Sequence, residues 1–454
     1  MKKVIALLII AAVSVCMLAG CSGSQTNTAQ ASTAQETTET ETVQQDTTSA
    51  SLNAGEMGGL TPLAMPWSVG GGLIPLGEEV DVDELSEEEQ ADMDRAMRAY
   101  TPSADSLLIN NAETFYYYSQ MTKDQQTLYD AMLMVADDPV DLNNIVVATI
   151  SVDPTSSEFT DTFLTAYFGL LYDHAELFWL YNMIEDDILV YSPAVQPSTS
   201  SYQIYLCLEK EYANYEKEMN AFNKAVDDFL DDIDLTKEDH EIVQQIHDKL
   251  IDLVSYNIPV MEDNTSAGAQ NLAHTAYGAL VADSKGNPNY AVCDGYSQAF
   301  VYLLQQVGIN AAVIVGVAGD DILSSGGHAW SVVELDGEWY EVDTTWDDAG
   351  TLDEQVEELK DTDELSYKYY SEALADPDYR TMLDHYLFNV TTDTISDYKM
   401  PEEAYYVTKD QKYMISLIFD SVHIRASKST FGYDSYISLM ALAPQATGTK
   451  YAFN

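Results

Sequence analysis

Between Gly327 and Asp348 the chain reads GHAWSVVELDGEWYEVDTTWDD, with an imidazole and a carboxylate on either side of an Asp-Gly dipeptide. AWSVVEL and EWYEVDTTW have the β-branched and aromatic content of strands, and Asp336-Gly337 is a two-residue type I′ turn signal. That turn sets a register: Leu335 faces Glu338, Trp330 faces Asp343 and His328 faces Thr345. His328 and Asp343 are then diagonal neighbours on one sheet face, with Cα atoms roughly 7–8 Å apart, within hydrogen-bond reach of their side chains. An imidazole oriented by a carboxylate is the base-plus-orienter part of a nucleophilic triad. The nucleophile lies upstream. NYAVCDGYSQAFVYLLQQVGI places Cys293 at the mouth of a helix whose apolar face is Tyr296, Phe300, Leu303, Leu304 and Val307, with Gly308 as its stop. A thiol there meets the positive end of the dipole and unpaired N–H groups, which favour a thiolate and can hold an oxyanion. The Cys293 N–H is one such donor. A second must come from a neighbouring segment. His274 and Tyr277 in HTAYGALV are candidates, although a core role fits them as well.

The elements that must position these residues come late in a chain of 454 residues, long enough for more than one domain. Asp and Glu number 75 against 20 Lys and Arg, a net charge of −55. Such a surface repels nucleic acid and anionic membrane or wall polymers, so no nucleic-acid partner is expected. Lys2 and Lys3, an apolar run from Val4 to Leu18 and then Ala19-Gly20-Cys21 read as a signal peptide over 1–20. An ordinary secretory signal with an incidental Cys is the alternative to LAGC as a lipidation site at Cys21. Residues 21–80 are Ser/Thr/Gln-rich and then Gly-rich, too poor in apolar side chains to order themselves. As a tether of roughly 55 residues they reach on the order of 40 Å. The expected location is therefore the extracytoplasmic face of the cell membrane, with the membrane contact made through the N-terminal lipid.

Residues 81–235 read as a helical domain. In TKDQQTLYDAMLMVADDP, Thr122 and Gln125 form a capping box and Asp138-Pro139 is a stop. SSYQIYLCLEKEYANYEKEMNAFNKAVDDFLDDI reads as one long helix, with Tyr205, Leu208 and Tyr212 along one face, and His174 as a structural histidine. The core, 236–400, begins at DLTKEDHEIVQQIHDKLIDLVSYN, with Thr236 as cap and Asp239 at N3. His240 and His247 are seven apart, too far along the axis to chelate as an i, i+4 pair, and no other spacing suggests a metal site. Hence no metal and no cofactor are expected. Asp347 and Asp348 read as turn or surface carboxylates. Residues 401–454 read as a C-terminal β extension, with AYYVTKDQKYMISLIFDSVHIRAS and YDSYISLMALA as strands. Cys16 leaves with the signal. Cys207 and Cys293 are expected to remain unbridged, since Cys207 in YQIYLCLEK suits a small buried apolar residue.

AVCDGYSQAF, GGHAW, DGEWYEVDTTWDD and the upstream HTAYGALV, in that order over 236–395, resemble the transglutaminase-like superfamily of papain-like cysteine enzymes. The order Cys293, His328, Asp343 matches that family's triad. The chain is also similar to bacterial lipoproteins in which this core follows a helical segment containing LYDHAELFWL. The resemblance implies an α+β fold: a helical N-terminal domain, then a core in which a Cys-bearing helix packs on an antiparallel sheet, then short C-terminal strands. It implies thiol acyl transfer on a peptide or carboxamide carbonyl: a protease, amidase or transglutaminase, with hydrolysis favoured over crosslinking. The partner is then a peptide or protein substrate, a cell-wall peptide being one option, and the oligomeric state stays open. Ser331 stands where Asn often follows HAW, and the calcium-binding segments of animal transglutaminases have no counterpart. A catalytically silent module retained for extracellular protein or cell-wall binding is the alternative; it would have no need of all three residues.

Overall fold

The computed structural model describes residues 106–182, 189–195, 201–208, 211–257, 272–281, 289–322, 325–428, 430 and 436–453. The expected signal peptide, Cys21 and the tether lie outside them. Among the described residues, no helix is long and apolar enough to cross a membrane.

The fold is α+β. Helix α1 (Lys123–Ala136) starts at the expected capping box, Thr122 Oγ1 accepting from Gln125 N at 3.4 Å and Gln125 Oε1 from Thr122 N at 2.8 Å. Strand β1 (Val146–Ile150) and helix α2 (Ser157–Asp173) follow. The region read as all-helical then departs from that reading. β2 (Leu189–Val195) and β3 (Tyr202–Leu208) join β1 in a three-stranded antiparallel sheet of order β1-β3-β2. The i, i+3, i+7 spacing of Tyr205, Leu208 and Tyr212 is a coincidence of an aromatic-rich stretch. Ile204, Leu206 and Leu208 are buried at period two, the strand repeat. The long helix expected from residue 201 onward is only its second half, α3 (Tyr215–Leu230).

Helix α4 (Asp239–Leu253) begins two residues later than expected, capped by Glu238 and Glu241. Thr236 is engaged elsewhere, its hydroxyl donating to Asp234 Oδ1 at 2.6 Å. β4 (Val254–Tyr256) pairs in parallel with β5 (Asn289–Ala291), which leads into α5 (Cys293–Gln306). α5 is buried along almost its whole length, packed against β6 (Ala311–Gly319) and β7 (Gly326–Leu335) and against α4. Gly308, at φ +81°, ends the helix segment as expected. The main sheet is antiparallel, of order β12-β6-β7-β8-β9, with β8 (Glu338–Val342), β9 (Phe388–Val390) and β12 (Val422–Arg425). Between β8 and β9 run α6 (Ala349–Glu358) and α7 (Pro377–Leu383). The β7–β8 register holds from Leu335↔Glu338 to Ser331↔Val342, with Asp336 at φ 54° and Gly337 at φ 81° as a type I′ turn requires.

The segment read as an appended β extension is integral to this sheet. β10 (Tyr406–Val407) and β11 (Met414–Ile415) form a small ladder, but β12 pairs with β6 and closes one edge. Within YDSYISLMALA the strand reading fails over Ile437–Met440, which is a short helix, α8, whose Leu439 and Met440 are buried.

Candidate active site

α5 is fixed in place around its first turn. Val292 is its N-cap in extended conformation, and Cys293 is its first residue, 4% exposed. His274 Nδ1 lies 2.9 Å from both carboxylate oxygens of the next residue, Asp294. Gln298 Nε2 donates to the His274 carbonyl at 2.9 Å, and Tyr296 Oη to Asp348 Oδ2 at 2.7 Å. Gly295 lets the helix approach its neighbours: a Cβ there would sit 2.4 Å from the Ala273 carbonyl oxygen. HTAYGALV thus supports the helix mouth. Burial alone would lower the His274 pKa, but Asp294 raises it overall.

Strand β7 carries His328 to the same place. Its Nε2 lies 2.7 Å from Asp343 Oδ2, and both residues are buried. Cys293 lies close enough to contribute to the ring's basicity. Burial alone would lower the His328 pKa. The Asp343 charge and hydrogen bond, aided by Cys293, push it up to about 10. Burial likewise works against ionised Asp343, yet His328 and His423 hold it well below the usual carboxylate range. β8 ends one residue before Asp343, whose N–H turns to the Leu387 carbonyl at 3.3 Å. Asp343 Oδ1 accepts the backbone N–H of Thr345 at 3.0 Å and of Trp346 at 3.2 Å. Those two bonds aim Oδ2 at the histidine.

The sequence reading missed His423. Its Nε2 lies 2.9 Å from the same Asp343 Oδ2, and its ring centroid is 5.4 Å from that of His328. It sits on β12, paired with Ala318, while His328 pairs with Gly316 across β6. The two small residues share one face of β6, leaving room for rings from both flanking strands. Two positions on, Arg425 Nη2 donates to buried Glu341 Oε1 at 2.5 Å, and Glu341 Oε2 accepts from Trp330 Nε1 at 2.7 Å. β12 therefore braces Glu341 in β8 and Asp343 just beyond its end. The signal was present in VHIR: His423 and Arg425 alternate with Val422 and Ile424, placing two polar side chains on one strand face. Trp330 and Trp346 lie 6.0 Å and 5.7 Å from the His328 ring, centroid to centroid, and wall the site.

Asp347 and Asp348 are not surface carboxylates. Asp347 is fully buried, its Oδ1 accepting Leu387 N at 2.8 Å and its Oδ2 3.3 Å from His247 Nε2. Asp348 is the N-cap of α6, accepting from Gly350 N at 2.9 Å and from Tyr296. Burial raises the pKa of each to about 6. A turn this rich in Asp reads as solvated, but here Asp347 meets His247 of α4 and Leu387 while Asp348 meets Tyr296 of α5, so each carboxylate finds donors. His174 is buried with Nδ1 2.6 Å from Glu176 Oε1, as fits a structural histidine. Cys207 lies in β3, and no disulfide joins it to Cys293.

Residues 227–344 match the family model described as the transglutaminase-like superfamily. The matched span contains Cys293, His328 and Asp343 and ends before His385 and β12. A solved structure of a TGase is similar at 12% identity and a TM-score of 0.23, over 36% of this chain. The similarity spans about half (47%) of that protein's length. No curated protein matches the chain.

Proposed function

With residues 227–344 as a transglutaminase-like domain, we propose that the chain is a thiol acyl-transfer enzyme acting through Cys293, His328 and Asp343. One observation carries the reading: the 2.7 Å contact of His328 Nε2 with Asp343 Oδ2, with Cys293 near enough to the same ring to raise its basicity. His328 and Cys293 share a proton as imidazolium and thiolate. The sulfur attacks a carboxamide or peptide carbonyl, and the N–H groups at the mouth of α5 stabilise the oxyanion. His328 then passes its proton to the leaving amine. Water attacks the thioester, His328 accepts one of its protons, and the acid and the thiol are released. Hydrolysis is favoured because it needs no site for an acceptor amine. The enzyme is held at the outer face of the membrane by a lipid on Cys21, and its substrates are peptides or proteins there.

The test is mass spectrometry of surface peptides and proteins after incubation with the wild type and with Cys293→Ala. Gain of water across an amide bond, dependent on Cys293, supports the reading. A Cys293-dependent isopeptide crosslink would move the assignment to transamidation. Identical products from both proteins would leave a non-catalytic binding module as the better account.

A further inference from the structure

A second His–Asp–His cluster lies away from the thiol, where α4 meets the end of α7. His247 Nδ1 is 3.0 Å and His385 Nε2 2.8 Å from the same oxygen, Asp248 Oδ1. Asp248 and His385 are 137 residues apart in sequence, so no local spacing foretold the meeting. His240, the neighbour weighed in the sequence, points elsewhere and stacks on Tyr451.

The far nitrogens decide what this cluster is. His247 Nε2 faces buried Asp347 Oδ2 at 3.3 Å, and His385 Nδ1 faces the Thr381 carbonyl at 2.8 Å. A carboxylate and a carbonyl both accept, so each far nitrogen can hold its proton on a partner outside the cluster. In neutral imidazoles the two near nitrogens are then lone pairs, and they converge on a carboxylate oxygen, a third acceptor. Three acceptors with no donor among them repel unless something positive lies between them. Two imidazolium protons would serve, and Asp248 and Asp347 favour the charged form of His247, but two positive, largely buried rings with centroids 5.3 Å apart repel each other. One divalent ion serves without that repulsion. Ligating histidines characteristically hand their other N–H to a carboxylate or a backbone carbonyl, which is the arrangement of both rings here. The catalytic cluster lacks it: the far nitrogen of His423 is buried with no partner among the described residues.

We propose that His247 Nδ1, Asp248 and His385 Nε2 form a binding site for a first-row divalent transition-metal ion of the zinc class. The three ligand atoms lie within 4.8 Å of one another. Tetrahedral zinc holds neighbouring N and O ligands about 3.3 Å apart, so each of the two N–O separations must open by only a few tenths of an ångström. Asp248 can give way, because its side chain is 45% exposed, and that opening is also the route for the ion and for a completing water. Phe388 and Phe453 flank the rings at 4.6 Å from His247 and 4.1 Å from His385, shielding the site. The ion would tie α4 to the chain after α7. It would also fix Asp347, whose N–H donates to the Asp343 carbonyl at 3.0 Å, and so stiffen the segment carrying Asp343.

The experiment strips the full chain with a chelator, dialyses it against ZnCl2 alone at pH 7.5 and counts bound metal. Wild type and Cys293→Ala should each hold one zinc per chain and melt several degrees higher with it. Asp248→Asn and His385→Gln, checked as folded by circular dichroism, should lose both effects. CoCl2 in place of zinc should give visible d–d bands without thiolate charge transfer in the near ultraviolet. Absence of stoichiometric zinc in the wild type overturns the proposal. So does retention by both Asp248→Asn and His385→Gln, or loss in Cys293→Ala, which would put the ion on the thiol.

Discussion

Asp343→Asn tests the proposed triad most sharply, because the structure dictates which way the new amide must turn. Oδ1 accepts two backbone N–H groups, from Thr345 and Trp346, so the amide oxygen must stay there. The NH2 group is then forced onto the position of Oδ2, facing the Nε2 atoms of His328 and His423. An imidazolium at His328 would point an N–H at an N–H. The ring loses the charge that pushes its pKa up to about 10, while burial, which acts downward, remains. Its pKa should fall below the ordinary value of about 6.5, and the ion pair with Cys293 should collapse to neutral partners. A thiol without an imidazolium is only about 0.3% thiolate at pH 6, a population loss of roughly 300-fold. The remaining thiolate is more nucleophilic, which returns up to about tenfold. A brief iodoacetamide pulse at pH 6, read by peptide mapping, should therefore label Cys293 about 30- to 300-fold more slowly than in the wild type. Cys293 is equally buried in both proteins, so access cancels. The difference should shrink as pH rises towards 9, where thiols in general ionise without a partner. Labelling within threefold of wild type at pH 6, in a protein that melts normally, would refute the ion-pair argument.

Three further outcomes follow from the same contacts. Gly295→Ala brings a Cβ to 2.4 Å from the Ala273 carbonyl oxygen, so the mouth of α5 must shift; turnover should drop by about 10², as for a misplacement near 1 Å, and a kcat within threefold of wild type would contradict it. Arg425→Met strands Glu341 in the interior and should cost about 3–5 kcal/mol in a denaturant melt, much of it recovered when Glu341→Gln is added; no recovery in the double variant would argue against the pair. Asp348 has a folded pKa of about 6 against 3.8 unperturbed, so it adds stability that is fully present below about pH 4 and is lost as pH rises through 6. The melting temperature of wild type relative to Asp348→Asn should therefore fall between about pH 4 and pH 7 and level off above it, and parallel curves would rule this out.

What the sequence made legible follows from how far each feature reaches along the chain. The hairpin was readable because an Asp-Gly turn fixes its own register within a dozen residues, and the alternation of side chains then assigns faces. The helix bearing Cys293 was readable from its 3.6-residue periodicity and from Gly308. The Tyr202–Leu208 strand was misread because seven residues hold too few repeats to separate period two from period 3.6 when nearly every position is aromatic or aliphatic. Asp347 and Asp348 lie in a turn as read but are not at the surface, because exposure depends on the packing of α4 and α5 against that turn, which the turn itself cannot announce. His423, Arg425 and His385 were missed for a stronger reason. Each meets its partner across 80, 84 and 137 residues respectively, and no propensity or spacing rule spans such a distance. What a sequence does offer at that range is local incongruity. VHIR sets a histidine and an arginine on one face of a strand, and buried polar groups are rarely left without partners. Such an incongruity does not name the partner, but it shows that one exists. Here it pointed to the side chain that shares the carboxylate of Asp343.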